Sequence, residues 1–308
     1  MNTPNIAMQG SAPNSQTRAP RKISFTQSFY WSVRREFWEN RLVYLAPLAA
    51  AVIFLVSFVI NTMVLRHRMA GIWLVHESRQ QSPLDLPYGL CAALIMGIAL
   101  IVGIFYSLDA LYGERRDRSI LFWKSMPVSD LTTVLSKLSI PLVIIPVLSY
   151  VITLVTQFVM LVLASAVLLG SGANIALMWT HESFFRVSLD LFYHMLTVHG
   201  LWYAPLYGWL MLASAAAPRA PFVWAVMPPF VIWGVEKMTF NTTHFLSFLK
   251  ERLMGPPTPE MEMPKNADFM STLIPHHFFD QPGLWGGLAV AVVFIAIAVR
   301  VRRYRGPI

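Results

Sequence analysis

Residues 88–112 read YGLCAALIMGIALIVGIFYSLDALY, and residues 113–137 continue GERRDRSILFWKSMPVSDLTTVLSK. The first stretch carries a single charge, Asp109, in 25 positions. A hydrocarbon core about 30 Å thick needs about 20 apolar residues in an α-helix. The first stretch therefore reads as a membrane span and the second as the water-facing loop that leaves it. Five other stretches fit the same rule: 42–65, 138–169, 190–214, 220–235 and 283–299. The last two are short. Residues 138–169 are too many for one upright helix, so that span tilts or projects beyond the bilayer. The expected fold is all-α: a polytopic membrane protein with six transmembrane helices.

Composition agrees with this reading. Hydrophobic residues make up 56% of the 308 positions and charged ones 13%, against about 25% charged in soluble domains. That balance excludes a soluble domain and, for the bulk of the chain, a disordered one. Cys91 is the sole cysteine, so neither an intrachain disulfide nor a thiolate cluster can form. The net charge of +8 points to basic loops rather than to a nucleic-acid surface. With six spans both termini lie on one side. The segments on that side, 1–41, 113–137, 215–219 and 300–308, hold sixteen of the 24 Lys and Arg residues. The positive-inside bias then places both termini in the cytoplasm.

Outside the spans, residues 1–24 are polar and read as a disordered cytoplasmic tail without the apolar run of a signal peptide. The domain proper covers 25–308. Residues 25–41, FTQSFYWSVRREFWENR, read as an amphipathic helix with Phe25, Phe29, Val33 and Phe37 on one face. Such a helix lies in the headgroup layer or simply continues into the first span. The 113–137 loop opens with Glu114, Arg115, Arg116, Asp117 and Arg118, a density of charge that reads as water-exposed. Ile120, Leu121, Phe122 and Trp123 follow. An apolar cluster there is either offered to a partner or folded back into lipid. Pro127 ends the piece. Ser129 fits an N-cap, with Asp130 in the first turn of a helix entering the third span. Residues 236–282 form a long loop on the opposite side, within which 243–255 suits a re-entrant or interfacial helix.

Within the spans, Ser149, Thr153, Thr156 and Gln157 share a helical face, as interhelical glue or as the lining of a pathway. Pro228–Pro229 are expected to kink or break the fifth span, and broken helices often mark transport sites. Ala93/Gly97 and Gly103/Ser107 are small-xxx-small pairs suited to close helix contact. Asp190, His194 and His199 read as a hydrogen-bonded group, with a proton relay or half a metal site as the sharper alternative. No metal site with ligand spacing is expected. No phosphate-binding loop, nucleophile elbow or dinucleotide fingerprint occurs, so no catalytic residue is expected and no cofactor is assigned to this chain.

Three stretches together resemble the membrane subunit of ABC transporters of the type-2 exporter family. They are Arg34-Arg35-Glu36-Phe37-Trp38-Glu39 ahead of span 1, the loop 111–130 with its charged start and Pro-Val-Ser-Asp turn, and residues 215–225, AAAPRAPFVWA. The resemblance covers nearly all of the chain from about residue 25. It implies a permease of the bacterial cell inner membrane, working with a second permease copy or paralogue and with separate ATP-binding subunits that carry ATP and Mg. It assigns a coupling helix to Arg118, Ser119, Ile120, Leu121, Phe122, Trp123, Lys124, Met126 and Pro127, with Phe122 and Trp123 as anchors in the ATPase groove and Arg118 and Lys124 at the rim. It also implies a path between protomers, walled by spans 2 and 5. Membrane lipids are partners and nucleic acid is not. The competing readings are a non-transporting membrane scaffold or assembly factor, and an intramembrane enzyme built on Asp190, His194 and His199.

Overall fold

The computed structural model describes residues 24–64, 85–126, 128–169, 184–255 and 278–308. Among them every regular element is a helix. Helix α1 (Phe25–Glu39) leads to α2 (Leu42–Val64) and α3 (Asp85–Ala110). The short α4 (Tyr112–Arg116) and α5 (Ile120–Ser125) make up the loop, and α6 (Asp130–Ser139) leaves it. Ser129 caps α6 as its sequence predicts, its Oγ accepting the Thr132 N–H at 3.1 Å. A π-turn over Ile140–Ile144 joins α6 to α7 (Ile145–Leu168). Pro141 lies within this turn and Pro146 just after it; neither can donate to the helical ladder, which is where a wider register enters.

The stretch expected as a fourth span is not one helix. It comprises α8 (Phe184–His194), a π-helical piece (Met195–Trp202) and α9 (Ala204–Ala216). The Tyr203 N–H reaches five residues back to the Val198 carbonyl at 3.2 Å, and Pro205 sits in the first turn of α9. Then come α10 (Pro221–Phe240), α11 (His244–Met254), a 3-10 turn (Phe278–Asp280) and α12 (Pro282–Tyr304). Four stretches are long and apolar enough to cross a bilayer: Leu42–Thr62, Leu86–Arg116, Asp130–Val167 and Pro282–Tyr304. The pair α9 and α10 qualifies jointly, bent by 120° at its junction, which brings the count to as many as five. The protein is thus an all-helical, membrane-embedded bundle.

The break expected at Pro228–Pro229 does not occur: helix α10 runs through both prolines. The chain turns between Ala216 and Pro221, at the expected boundary of the fourth and fifth spans, where Ala220 takes a left-handed φ of 46°. Pro229 leaves the Ala225 carbonyl without its helical donor. The indole Nε1–H of Trp209 on α9 takes that place at 2.9 Å. A neighbour thus supplies the donor that the helix lacks, as a proline inside a membrane helix requires.

Helix α3 is the spine. Its Ala99, Tyr106 and Leu108 join Trp202, Tyr207, Met211, Leu284 and Ala298 in the larger core. Its Tyr88, Cys91 and Ile95 pack with Ala50, Phe58, Met160 and Leu161 of α2 and α7. Of the two small-residue pairs, Ala93 and Gly97 face outward, whereas Ser107 is buried and a Cβ on Gly103 would meet the Tyr207 hydroxyl at 2.9 Å. The most extensively packed helix pair is α9 with α12. A Cβ on Gly208 would lie 3.3 Å from the Ala291 carbonyl oxygen, which is backbone and cannot swing aside. Gly208→Leu should therefore cost about 1–3 kcal/mol by forcing the two helices apart. Thermal unfolding in detergent checks this, with Gly97→Leu, on a face open to its surroundings, as the near-neutral control.

Candidate functional site

The loop that decides the fold also carries the most distinctive arrangement of polar groups. Ser214, near the end of α9, accepts two backbone N–H groups through its hydroxyl, Leu111 at 3.0 Å and Tyr112 at 2.9 Å. This ties the end of α3 to the end of α9 and starts α4 at a fixed point. Arg115 then turns inward and donates to the carbonyls of Ala215 at 2.7 Å and Ala217 at 3.0 Å. A helix C-terminus presents unsatisfied carbonyls with partial negative charge, so a guanidinium is held well there. Arg118 follows with a φ of 58°, a left-handed turn that reverses the chain into α5.

Helix α5 divides into an inner and an outer side. Ile120 is fully buried, while Leu121 is 58% and Phe122 59% exposed, with Met126 exposed beside them. Ser119 is half-buried and Arg118 and Lys124 are exposed. Pro127 lies outside the described residues. Trp123 differs from the expected anchor. It stands edge-on to Phe122 at 5.0 Å, and the Arg35 guanidinium from α1 lies over its ring, 3.6 Å from the centroid. A cation at that distance over an indole is a favourable electrostatic contact. Trp123 is therefore engaged within the chain, and the surface offered outward is Leu121, Phe122 and Met126.

Beneath this knuckle lies a cluster of six charges, four of them buried. The Glu36 carboxylate of α1 accepts from Lys137 Nζ at 2.8 Å, Arg35 at 2.6 Å and the Tyr106 hydroxyl at 3.0 Å. Lys137 also lies 3.3 Å from Glu114 Oε1, an ion pair without hydrogen-bond alignment. Arg302 of α12 donates to Glu114 Oε2 at 2.8 Å and to Asp130. Three cations thus face three carboxylates. Glu36, Glu114, Lys137 and Arg302 are all buried. Taking such ions out of water costs several kcal/mol each, recovered only when every partner is present. The cluster joins α1, α3, α4, α6 and α12 at one end of the bundle.

This corrects the reading of the loop's charged start as water-exposed. Glu114 and Arg115 are buried, and only Arg116, Asp117 and Arg118 face outward. The cluster was not anticipated from the sequence, in which Lys137 and Arg302 counted only toward the basic bias. One signal was available. Glu36 falls on the Val33–Phe37 side of α1, the side that packs on the core, and an acid there needs a buried cation.

Burial alone would raise the Glu36 carboxyl's pKa, but the charge and hydrogen bond of Lys137, with those of Arg35, bring it below the ordinary 4.5. A group depressed on folding stabilises the fold fully above its unfolded pKa and loses that contribution as pH falls through the lower folded value. The thermal midpoint in detergent should therefore hold from pH 7 to about pH 4.5 and decline below it, with a shallower decline in Glu36→Gln. Identical acid profiles for the two proteins would refute this.

The other candidate residues are placed as follows. Ser149, Thr153, Thr156 and Gln157 are all buried. Thr153 and Thr156 donate back to Ser149 and Ile152 of their own helix, at 2.8 and 2.7 Å, and Gln157 Nε2 reaches the Tyr88 carbonyl at 3.4 Å. Helix α7 packs on α2 and α3, whereas α10, with Pro228 and Pro229, packs mainly on α9 and α11. The two groups are not brought to one site. His199 is buried between His194 and Tyr203, with ring centroids at 5.8 and 5.4 Å. Among the described residues no group of three or more His, Cys, Asp or Glu is placed to hold a metal ion. On α11 the buried Arg252 stacks over Trp202 at 4.1 Å and donates to the carbonyls of Trp202 and Gly283, which fastens this helix to the bundle. The chain matches no known family pattern, no curated protein and no solved structure.

Proposed function

We propose that this chain is the membrane subunit of an ABC transporter of the type-2 exporter kind, with six spans, both termini cytoplasmic and the bacterial inner membrane as its site. The observation that carries the proposal is the exposed knuckle of Leu121, Phe122 and Met126, standing on a buried ion cluster that links it to α1, α6 and α12. A knuckle that receives work from a partner has to be stiff where it stands and apolar where it docks. Ion pairs that cross-link α1, α4, α6 and α12 hold the base of the knuckle in place, and exposed apolar side chains in a charged loop are suited to a partner's groove.

On this reading a separate ATP-binding subunit supplies ATP and Mg, and this chain contributes no catalytic residue. The path runs between two permease copies. The polar face of α7 is closed inside one chain, while α10 is apolar and exposed nearly all round, with only Ala225 buried. That favours α10 as the wall facing a second copy. Affinity purification from native membranes in mild detergent, followed by mass spectrometry, tests the proposal. A co-purifying soluble subunit with a phosphate-binding loop is the expected result. Repeated recovery of the chain with membrane assembly partners and no nucleotide-binding protein would favour the scaffold reading instead.

A further inference from the structure

A second group of charges lies beside the ion cluster and is not neutralised. Helix α12 ends in Arg300, Arg303, Tyr304 and Arg305, all exposed. Lys124 of α5 reaches across and donates to the carbonyls of Arg303 at 3.3 Å and Arg305 at 3.2 Å. Arg305 donates to the Ala216 carbonyl at the end of α9, next to the two carbonyls that hold Arg115. Arg115 also donates to the Gly306 carbonyl at 3.3 Å. Arg219 follows at the exposed turn into α10. Of these cations Lys124, Arg305 and Arg115 bond to backbone carbonyls, and Arg300 stacks over Tyr304 at 5.7 Å. The neighbouring acids are engaged elsewhere: Asp109 and Asp117 with Arg116, and Glu114 and Asp130 with Arg302. None of the ion pairs among the described residues involves Lys124, Arg219, Arg300, Arg303 or Arg305.

Position decides what such a rim is for. Residues 283–299 are the apolar part of α12, about 26 Å of helix at 1.5 Å per residue, and the arginines begin where it stops. That is the depth of lipid headgroups. Val293 and Ile297 of α12, and Phe222 and Val223 at the start of α10, are exposed apolar side chains close in sequence to the rim cations. A diacyl phosphate fits both halves of this surface: its phosphate oxygens take the spare guanidinium and ammonium N–H groups, and its chains cover the apolar flanks.

We propose that the rim formed by Lys124, Arg303 and Arg305, with Arg219 and Arg300 beside it, is a binding site for the headgroup of an anionic phospholipid. The proposal does not depend on the transport reading, since it needs only that the chain sits in a bilayer. Basic side chains at an anionic surface contribute about a fivefold preference each. The full-length protein in detergent, mixed with phosphatidylglycerol and phosphatidylcholine of identical acyl chains, should retain phosphatidylglycerol preferentially in native mass spectrometry. Arg303→Gln with Arg305→Gln should reduce that preference about 25-fold, while Arg303→Lys with Arg305→Lys should largely keep it. Inorganic phosphate at millimolar concentration should not displace the lipid, because it lacks the chains. Should the glutamine variant fail to fold, the wild type decides: its preference should fall steeply with added salt. Equal retention of the two lipids, displacement by phosphate, a preference unmoved by salt or an unchanged preference in a folded glutamine variant would each overturn the proposal. Loss of a co-purifying soluble protein without loss of lipid preference would also overturn it, by making the rim a protein contact.

Discussion

Lys137→Met is expected to cost about 3–5 kcal/mol of stability, the largest effect of any single substitution proposed for this chain. Among the described residues the ammonium of Lys137 is the one cation paired with both Glu36 and Glu114. Methionine fills nearly the same space and removes the charge, so the loss is electrostatic rather than a loss of packing. Two buried carboxylates would then share the remaining cations, Arg35 and Arg302. The thermal midpoint in detergent should drop sharply, and protease should cut the 113–126 loop sooner. Glu36→Gln added to Lys137→Met should restore a substantial part of the loss, because one of the stranded anions is then neutral. A single variant within about 0.5 kcal/mol of wild type would show that water reaches the cluster.

Phe122→Ala should behave in the opposite way, leaving the isolated chain intact and weakening its complex. Phe122 is more than half exposed, its ring edge-on to Trp123 at the surface, so the thermal midpoint should move little. If it docks in an ATP-binding subunit, truncation should weaken that complex about 30-fold or more, as expected for an aromatic hot spot worth about 2 kcal/mol. Leu121→Ala should act in the same direction with a smaller effect. Trp123→Ala separates the two roles, because Trp123 carries the Arg35 contact. It should lower the thermal midpoint as well as affinity. Titration of the purified ATP-binding subunit onto the immobilised chain measures all three. Wild-type affinity in Phe122→Ala would remove the knuckle from the docking surface.

Several features were legible because one local rule was enough to specify them. Ser129 caps α6 as any Ser ahead of an acidic first turn can, and the long apolar stretches became helices because a bilayer permits little else. Ile120 through Trp123 stood out as an apolar run among charges. The sequence did not reveal which of these four face inward, since α5 is too short for a periodic pattern to show. The ion cluster was illegible for a different reason. Its members lie at positions 35, 36, 114, 130, 137 and 302, and no periodicity relates residues so far apart. Charge density was mistaken for exposure at Glu114 and Arg115, where each charge had a distant partner or a helix end to meet. The proline pair misled because Trp209 replaces the missing donor, which is a tertiary contact, whereas the turn before α10 falls where Pro218 and Arg219 already separate the fourth and fifth spans in the sequence.

The span of that cluster along the chain has a consequence for biogenesis. Arg302 is the last of the six to be synthesised, 266 positions after Glu36. At about 5–20 residues per second the ribosome needs roughly 13–50 s to deliver it. Once Lys137 has been made, the five earlier members carry one surplus negative charge until Arg302 arrives, so Glu114 and Asp130 wait for their guanidinium until α12 has been threaded into the membrane. A chain cut short ahead of Arg302 would keep that surplus, with Glu114 and Asp130 left without their guanidinium and the bundle unlatched at that end.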